Sequence, residues 1–372
     1  MNKGKRADHW FWTRYSAYPY LGCQHGCEFC YCREKKYMPH KEIGGAYDAY
    51  ADEFAHVIKV KQNAPQLLRR ALARAPLDVL FTGDYQPAER KFRLSRQMLE
   101  VCLELGFPVF VLTRSPLVLR DIDILQAINQ RARAAVAFSV IAAPDSLAHT
   151  LVRAMERLAT PAEKRFSAMH TLAQAGILTG TVAMPLLPGV CDTDANLRGL
   201  VRWTAESGGQ FILSSGLTLS DQQKTFFLDA LRQRCPELLP LYERLYPSMS
   251  YSPQGWHWRQ VALRIHDLCR EAGIRDRMPR PVIPGEKRER NKRVVEALAD
   301  RVYRLELENA PQARVWAYRK AAWAIEDLEQ DVGLVMSTLG RKGLESIPNV
   351  GATIAKEIES LVTVGALSED TR

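Results

Sequence analysis

Cys23, Cys27 and Cys30 stand in the spacing C-x3-C-x2-C within Tyr-Pro-Tyr-Leu-Gly-Cys-Gln-His-Gly-Cys-Glu-Phe-Cys-Tyr-Cys-Arg, residues 18–33, with Phe29 just before the third. Three thiolates on one short loop can hold three corners of a cubic four-iron, four-sulfur (4Fe-4S) cluster and leave the fourth iron open. Full cysteine ligation suits electron transfer; an open iron lets a small molecule chelate the metal and react there. The competing reading is zinc, for which Cys27/Cys30 and Cys23/Cys32 supply four thiolates. Four ligands within ten residues are cramped beside the usual two separated Cys-x2-Cys pairs.

Such a loop needs a scaffold, and the chain behind it alternates short apolar runs with helical ones. Strands are expected over 54–61, 78–82, 108–113, 135–141, 177–184 and 210–214. Helices are expected from Asn63 as N-cap, then over 89–105, 117–129 and 161–175. This alternation predicts an α/β fold with a parallel sheet and crossover helices, hence a partial β/α (TIM-like) barrel. In such barrels function gathers where strands end and loops begin. The segments there are Phe81-Thr-Gly-Asp-Tyr-Gln-Pro-Ala-Glu-Arg, Leu112-Thr-Arg-Ser-Pro-Leu-Val-Leu-Arg-Asp, Ala137-Phe-Ser-Val and Met184-Pro-Leu-Leu-Pro-Gly-Val-Cys-Asp.

The cysteine spacing resembles the radical S-adenosylmethionine (radical SAM) superfamily. With Pro19-Tyr-Leu-Gly-Cys and Asp84-Tyr-Gln-Pro, residues 15–275 look like its spore photoproduct lyase-like branch. The resemblance implies that Cys23, Cys27 and Cys30 hold the cluster, that its open iron takes S-adenosylmethionine, and that reductive cleavage yields a 5'-deoxyadenosyl radical. It leaves Cys32 as a spare thiol. By the same resemblance Thr82, Gly83 and Asp84 hold the cofactor's amino group, since an amine needs acceptors around it. Arg114 meets its carboxylate or pairs with Asp121 instead, and Ser139 bonds the ribose or a backbone group. Where the family's hydrogen-returning cysteine stands, this chain has Phe81, so Tyr85 is the alternative donor. An external electron donor such as flavodoxin or ferredoxin is implied too.

The chain has 372 residues, 47% hydrophobic and 25% charged, as expected of a soluble protein of two domains. No apolar run approaches a membrane span, and Met1-Asn-Lys-Gly-Lys-Arg does not read as a signal peptide. A cytoplasmic location with reduced cysteines is expected. The formal charge of +9 is uneven: from Glu286 onward 14 Lys/Arg face 15 Asp/Glu, so the basic excess lies before it. Tyr251-Ser-Pro-Gln-Gly-Trp-His-Trp-Arg mixes aromatic and basic groups that can stack bases and meet phosphates, or pack the barrel wall.

Boundaries are expected at 1–275 for the barrel domain, 276–292 for a Pro-, Gly- and charge-rich linker, and 293–372 for a small all-α domain. In the last, Pro348-Asn-Val-Gly between apolar helices looks like a helix-hairpin-helix motif, with Val350 and Gly351 opening a helix start to a DNA phosphate. Residues 292–366 resemble the small N-terminal helical domain of the DNA polymerase X family, which binds gapped or nicked DNA. That resemblance places Arg314 and Tyr318 toward a 5'-phosphate. It puts Glu357 where the family's Schiff-base lysine stands, with Lys356 one place earlier, so DNA binding without that lyase activity is expected.

Together these features predict a radical SAM enzyme of lyase type that repairs or modifies damaged, gapped or nicked DNA. The alternatives are a radical SAM enzyme acting on RNA, a nucleotide or a protein, and a non-catalytic DNA-binding redox sensor.

Overall fold

The strands in chain order are β1 (Asn2–Lys3), β2 (Thr13–Ser16), β3 (Tyr20–Leu21), β4 (Lys59–Val60), β5 (Val79–Thr82), β6 (Val109–Thr113), β7 (Ala134–Ser139), β8 (Leu178–Leu186) and β9 (Phe211–Gly216). The computed structural model describes residues 1–38, 53–248 and 250–363. The last residues of the 292–366 resemblance therefore lie outside the described ones.

Seven strands form one sheet in the order β1-β2-β5-β6-β7-β8-β9. β5 to β9 run parallel, with Leu80 opposite Val109, Val109 opposite Ala134, Ala135 opposite Leu178 and Gly180 opposite Phe211. Their sequences are near-continuous apolar runs because helices cover such a sheet and bury its strands. Every residue of β7 is buried. The crossovers are the helices Leu94–Leu105, Ile122–Arg131, Ala162–Gln174 and Asp194–Glu206. Since the strands are parallel, Thr82, Thr113, Ser139, Leu186 and Gly216 all fall at one end of the sheet, as a partial β/α barrel requires.

Four local expectations change, the first being the 117–129 helix, which is a 3-10 helix over Pro116–Asp121 and α-helical only from Ile122. Glu53–His56 is helical, and only Lys59–Val60 of the 54–61 run is a strand. The 89–105 helix is split into Glu89–Phe92 and Leu94–Leu105 by Arg93, whose φ of 51° is left-handed. Leu147–Met155 is a helix that sequence reading left out.

The chain divides into two compact units, Met1–Lys3 with Tyr15–Met278, and Gly4–Arg14 with Pro279–Arg372. The second is built from the helices Glu289–Leu307, Gln312–Asp327, Val332–Glu345 and Ala352–Thr363. Its N-terminal strap is held by Arg6, whose Nε lies 3.0 Å from both oxygens of Asp327 and whose guanidinium stands 5.3 Å over Trp323. Much of the stretch read as a linker is packed into this unit. Arg280 is 3% exposed, donates to both Glu326 oxygens at 2.7 and 2.8 Å, and lies 4.9 Å over the Trp12 ring. A buried cation is tolerated only when paired in this way.

Candidate active site

The cysteine loop leaves β3 through Gly22, whose φ is +81° and whose side a Cβ would crowd to 2.6 Å from the Val57 carbonyl oxygen. Glycine alone fits there. Three reverse turns follow: the Gly26 N–H donates to Cys23 O at 3.0 Å, Cys30 to Cys27 O at 3.3 Å, and Arg33 to Cys30 O at 3.1 Å. Each cysteine thus begins or ends a turn. Beneath the loop Arg33, 1% exposed, donates to Cys27 O at 2.9 Å and Gly26 O at 3.0 Å. Its guanidinium lies 3.8 Å from the Phe226 ring centre and 4.6 Å from that of Phe54. The donated bonds and the stacking fix the loop from below.

The thiols sense one another. Burial pushes Cys27 up to about 12, and burial with Asp84, Cys30 and Cys27 raises Cys23. Cys30 is lowered to about 7, first by a hydrogen bond from Cys32. Among the described residues no three His, Cys, Asp or Glu side chains stand gathered in a metal-ligand geometry.

At the end of β5, Thr82 is 1% exposed and its hydroxyl donates to Ala17 O at 3.0 Å. Gly83 has φ +92°, and a Cβ there would come 2.8 Å from Val111 Cγ1. The Asp84 N–H donates to Ser95 Oγ at 3.1 Å. Burial raises the Asp84 carboxyl to about 7. Gln86, fully buried, ties this strand end to the cysteine loop. Its amide donates to Asp84 Oδ2 and Gly22 O, each at 3.1 Å, and its carbonyl accepts the Gln24 N–H at 3.0 Å. Gln24 completes the tie by accepting the Ala88 N–H at 2.6 Å.

Arg114, at the end of β6, is paired with Glu156 rather than Asp121 and stands 5.5 Å from the Phe29 ring. Glu156 also takes Arg165 at 2.6 Å, and Arg165 donates to Ser139 O at 2.7 Å. Burial alone would raise the Glu156 carboxyl, but Arg114 and Arg165 more than offset this and hold it low. One buried ion chain therefore joins two of the residues expected around the cofactor. The Ser139 hydroxyl donates to Met184 O at 3.4 Å. Asp121 instead serves Arg96 at 3.1 Å, Arg120 at 2.8 Å and the Tyr85 hydroxyl at 3.0 Å. Tyr85 is 1% exposed, and its ring edge lies 3.2 Å from where a Gly83 Cβ would sit. Phe81 packs on Phe110 at 5.4 Å and Tyr18 at 5.6 Å, offering only hydrocarbon.

Sequence reading missed Gln24, Glu156, Arg165 and His25. His25 is 8% exposed, and its Nδ1 is buried without a hydrogen-bond partner. Burial, with Arg114 and Arg165, lowers it to about 4. Gln24 lay inside the motif itself; Glu156 caps the end of the helix Leu147–Met155, Arg165 follows Glu163 and Lys164 on the helix Ala162–Gln174, and neither carries a local signal.

In the second unit the Tyr318 hydroxyl donates to Glu357 at 2.9 Å. Gly351 begins the helix Ala352–Thr363: its carbonyl accepts from Ala355 at 2.9 Å, it is exposed, and a Cβ on it would meet nothing within 4 Å. Val350 is 4% exposed and its N–H is taken by Ile347 O at 3.1 Å, so the open N–H groups begin at Gly351 and not at Val350. Lys356 and Arg314 are exposed.

Residues 18–200 match the Radical SAM superfamily, and residues 289–367 match a helix-hairpin-helix domain. The two matches follow one another along the chain and agree with a radical SAM domain fused to a helix-hairpin-helix domain. It is 26% identical over 249 residues to the uncharacterized protein Rv2578c of Mycobacterium tuberculosis, covering 65% of this chain and 70% of that one. It is 26% identical over 183 residues to the uncharacterized protein MJ0683 of Methanocaldococcus jannaschii, covering 49% and 64%. Among solved structures, a cysteine-to-serine mutant of spore photoproduct lyase matches with TM-score 0.50 at 14% identity, over 71% of this chain and 76% of that one. A double mutant of that lyase with bound AdoMet and dinucleoside spore photoproduct matches with TM-score 0.50 at 13% identity, over the same shares. These structures share the fold.

The donor set fits the superfamily's cofactors. Three thiols ride one braced loop, and the strand end tied to it presents a carboxyl group that burial disfavours as an anion and that an ammonium group would neutralise.

Proposed function

We propose that this chain is a radical SAM enzyme acting on DNA, in repair or modification. Cys23, Cys27 and Cys30 are the proposed ligands of a 4Fe-4S cluster, with Thr82, Gly83, Asp84, Arg114 and Ser139 around S-adenosylmethionine. The observation that carries this reading is the Gln24–Gln86 tie, which unites three thiols and a buried carboxyl group in one site. When bound, the cluster and S-adenosylmethionine supply a 5'-deoxyadenosyl radical for hydrogen abstraction.

The chain's residues bind, orient and shield. Asp84 accepts from the cofactor's amino group, and Gly83 lets it approach the backbone. Arg114 keeps one face for a carboxylate while Glu156 fixes the other. Tyr85, against Gly83, is the proposed hydrogen donor, its O–H oriented by Asp121. The helix start at Gly351 takes a backbone phosphate without reading bases, with Arg314, Tyr318 and Lys356 nearby in the motif, and suits damaged, gapped or nicked DNA. A duplex base would be flipped out to reach the barrel. A flavodoxin- or ferredoxin-like donor in the cytoplasm would supply the electron.

DNA carrying deuterium at its sugars and bases tests the reading. Deuterium found in 5'-deoxyadenosine supports a DNA substrate. Cleavage that ignores DNA moves the substrate to RNA, a nucleotide or a protein, and DNA binding without cleavage leaves a redox sensor.

A further inference from the structure

A groove lies on the first unit, beyond the ends of the last two strands, and has no part in the site described above. The loop Pro188–Thr193, which follows β8, forms one wall; Leu241, Arg244 and Leu245 form another, and Gln254–His257 the third. Its volume is about 630 Å³, within the usual range of small-molecule sites. The Trp256 ring sits directly against the last residue of β9: a Cβ on Gly216 would come within 2.3 Å of Trp256 Cζ3, so only glycine admits the ring. Trp256 is fixed there by donating to Asp192 Oδ2 at 2.8 Å and by contact with Trp258 at 5.3 Å.

The groove holds one carboxylate and one guanidinium, and only the carboxylate has partners within it. Asp192 is its carboxylate, and both oxygens are committed, Oδ1 to the Gly189 N–H at 2.8 Å and Oδ2 to Trp256, with His257 Nε2 at 3.7 Å from the latter. Arg244 is exposed and has no carboxylate or hydrogen-bond partner among the described residues. Pro188 and Leu245 are buried and give an apolar floor. An unpaired guanidinium beside apolar and aromatic surface matches a ligand with a phosphate at one end and a flat ring at the other.

We propose that this groove binds one nucleotide of a DNA strand, its phosphate on Arg244 and its base against the apolar floor beside Trp256 and His257. Because the groove stands at the same end of the sheet as Thr82–Asp84 and Ser139, this nucleotide flanks the one presented to the barrel. The inference rests on the DNA reading above and adds where on the barrel the strand is held.

The full-length protein is titrated with a fluorescein-labelled single-stranded 12-mer oligodeoxynucleotide over a series of salt concentrations, as wild type and as Arg244→Gln and His257→Ala. Both side chains are exposed, and unaltered thermal unfolding of the variants serves as the folding control. Arg244→Gln is expected to weaken binding at least five-fold and to lower the slope of log affinity against log salt by about 0.7, one single-strand phosphate contact. His257→Ala is expected to weaken binding with the slope unchanged. If the wild type binds the 12-mer and Arg244→Gln keeps its affinity and slope, the groove assignment is overturned while the DNA reading stands. A gapped duplex titrated in parallel separates the two readings: a wild type that binds the gapped duplex but not the 12-mer overturns the groove assignment alone, and one that binds neither overturns both.

Discussion

Gln86 holds Gln24 in place: the buried side-chain carbonyl of the first accepts the backbone N–H of the second at 3.0 Å, while the same side chain's amide reaches Gly22 O and Asp84. Through this pair the cysteine loop and the end of β5 act as one piece. Gln86→Leu, nearly isosteric, leaves the Gln24 N–H and Gly22 O without partners in a buried place, which costs about 2–4 kcal/mol. A lowered unfolding temperature and less iron retained per chain after anaerobic reconstitution are expected. Wild-type stability and iron content would show that the tie does not position the loop.

Asp84 sets a pH dependence. Burial raises its folded carboxyl from 3.8 to about 7. Below that pH the folded group is largely protonated, and above it the anion is exposed to a desolvation cost that an ammonium partner relieves. Affinity for S-adenosylmethionine is therefore expected to rise with pH toward about 7 and to fall again as the ligand's own ammonium group deprotonates near about 8. The sign for stability without ligand is opposite, since a carboxyl raised on folding loses stability as pH climbs from its unfolded value to its folded one. Equilibrium dialysis between pH 5.5 and 8.5 checks this, and Asp84→Asn should flatten the rising limb of the curve and weaken binding about ten-fold, the order of one charge-assisted hydrogen bond.

Tyr85→Phe removes a buried hydroxyl from Asp121, which keeps Arg96 and Arg120 as partners. The expected stability loss is therefore modest, about 1 kcal/mol. Formation of 5'-deoxyadenosine should persist while return of hydrogen to the product fails, giving abortive or solvent-quenched products. Normal product from the variant would remove Tyr85 from the reaction.

The helix-hairpin-helix domain yields a charge prediction. Glu357 places a carboxylate on Tyr318, where a phosphate would otherwise accept from that hydroxyl. Glu357→Gln should raise affinity for gapped DNA, and Lys356→Gln should lower it and reduce the salt slope by about 0.9. Borohydride should trap no covalent adduct with abasic DNA. Fluorescence anisotropy and gel electrophoresis read these outcomes.

Much of this was legible from the sequence, for reasons of period and spacing. Parallel strands covered on both faces read as apolar runs, so β5 to β9 stood out, and three cysteines within eight residues specify one loop whatever surrounds it. What could not be read is what forms only in three dimensions. The Arg114–Glu156–Arg165 chain joins three separate stretches of the sequence, in none of which the charge that takes part is marked out from ordinary surface charges. The strap Gly4–Arg14 joins the second unit through Arg6 and Asp327, 321 residues apart, and no local pattern encodes that pairing. The break at Arg93 was hidden because a left-handed turn was filled by an arginine rather than a glycine.

The most direct test is anaerobic. Wild-type protein and Cys27→Ala are reconstituted with iron and sulfide, reduced with dithionite, given S-adenosylmethionine, and assayed for 5'-deoxyadenosine with and without gapped or ultraviolet-irradiated DNA. Wild type is expected to form 5'-deoxyadenosine, faster with DNA, and Cys27→Ala to form none. An intact wild-type cluster that yields no 5'-deoxyadenosine, or a Cys27→Ala protein that yields as much as wild type, would contradict the proposed chemistry.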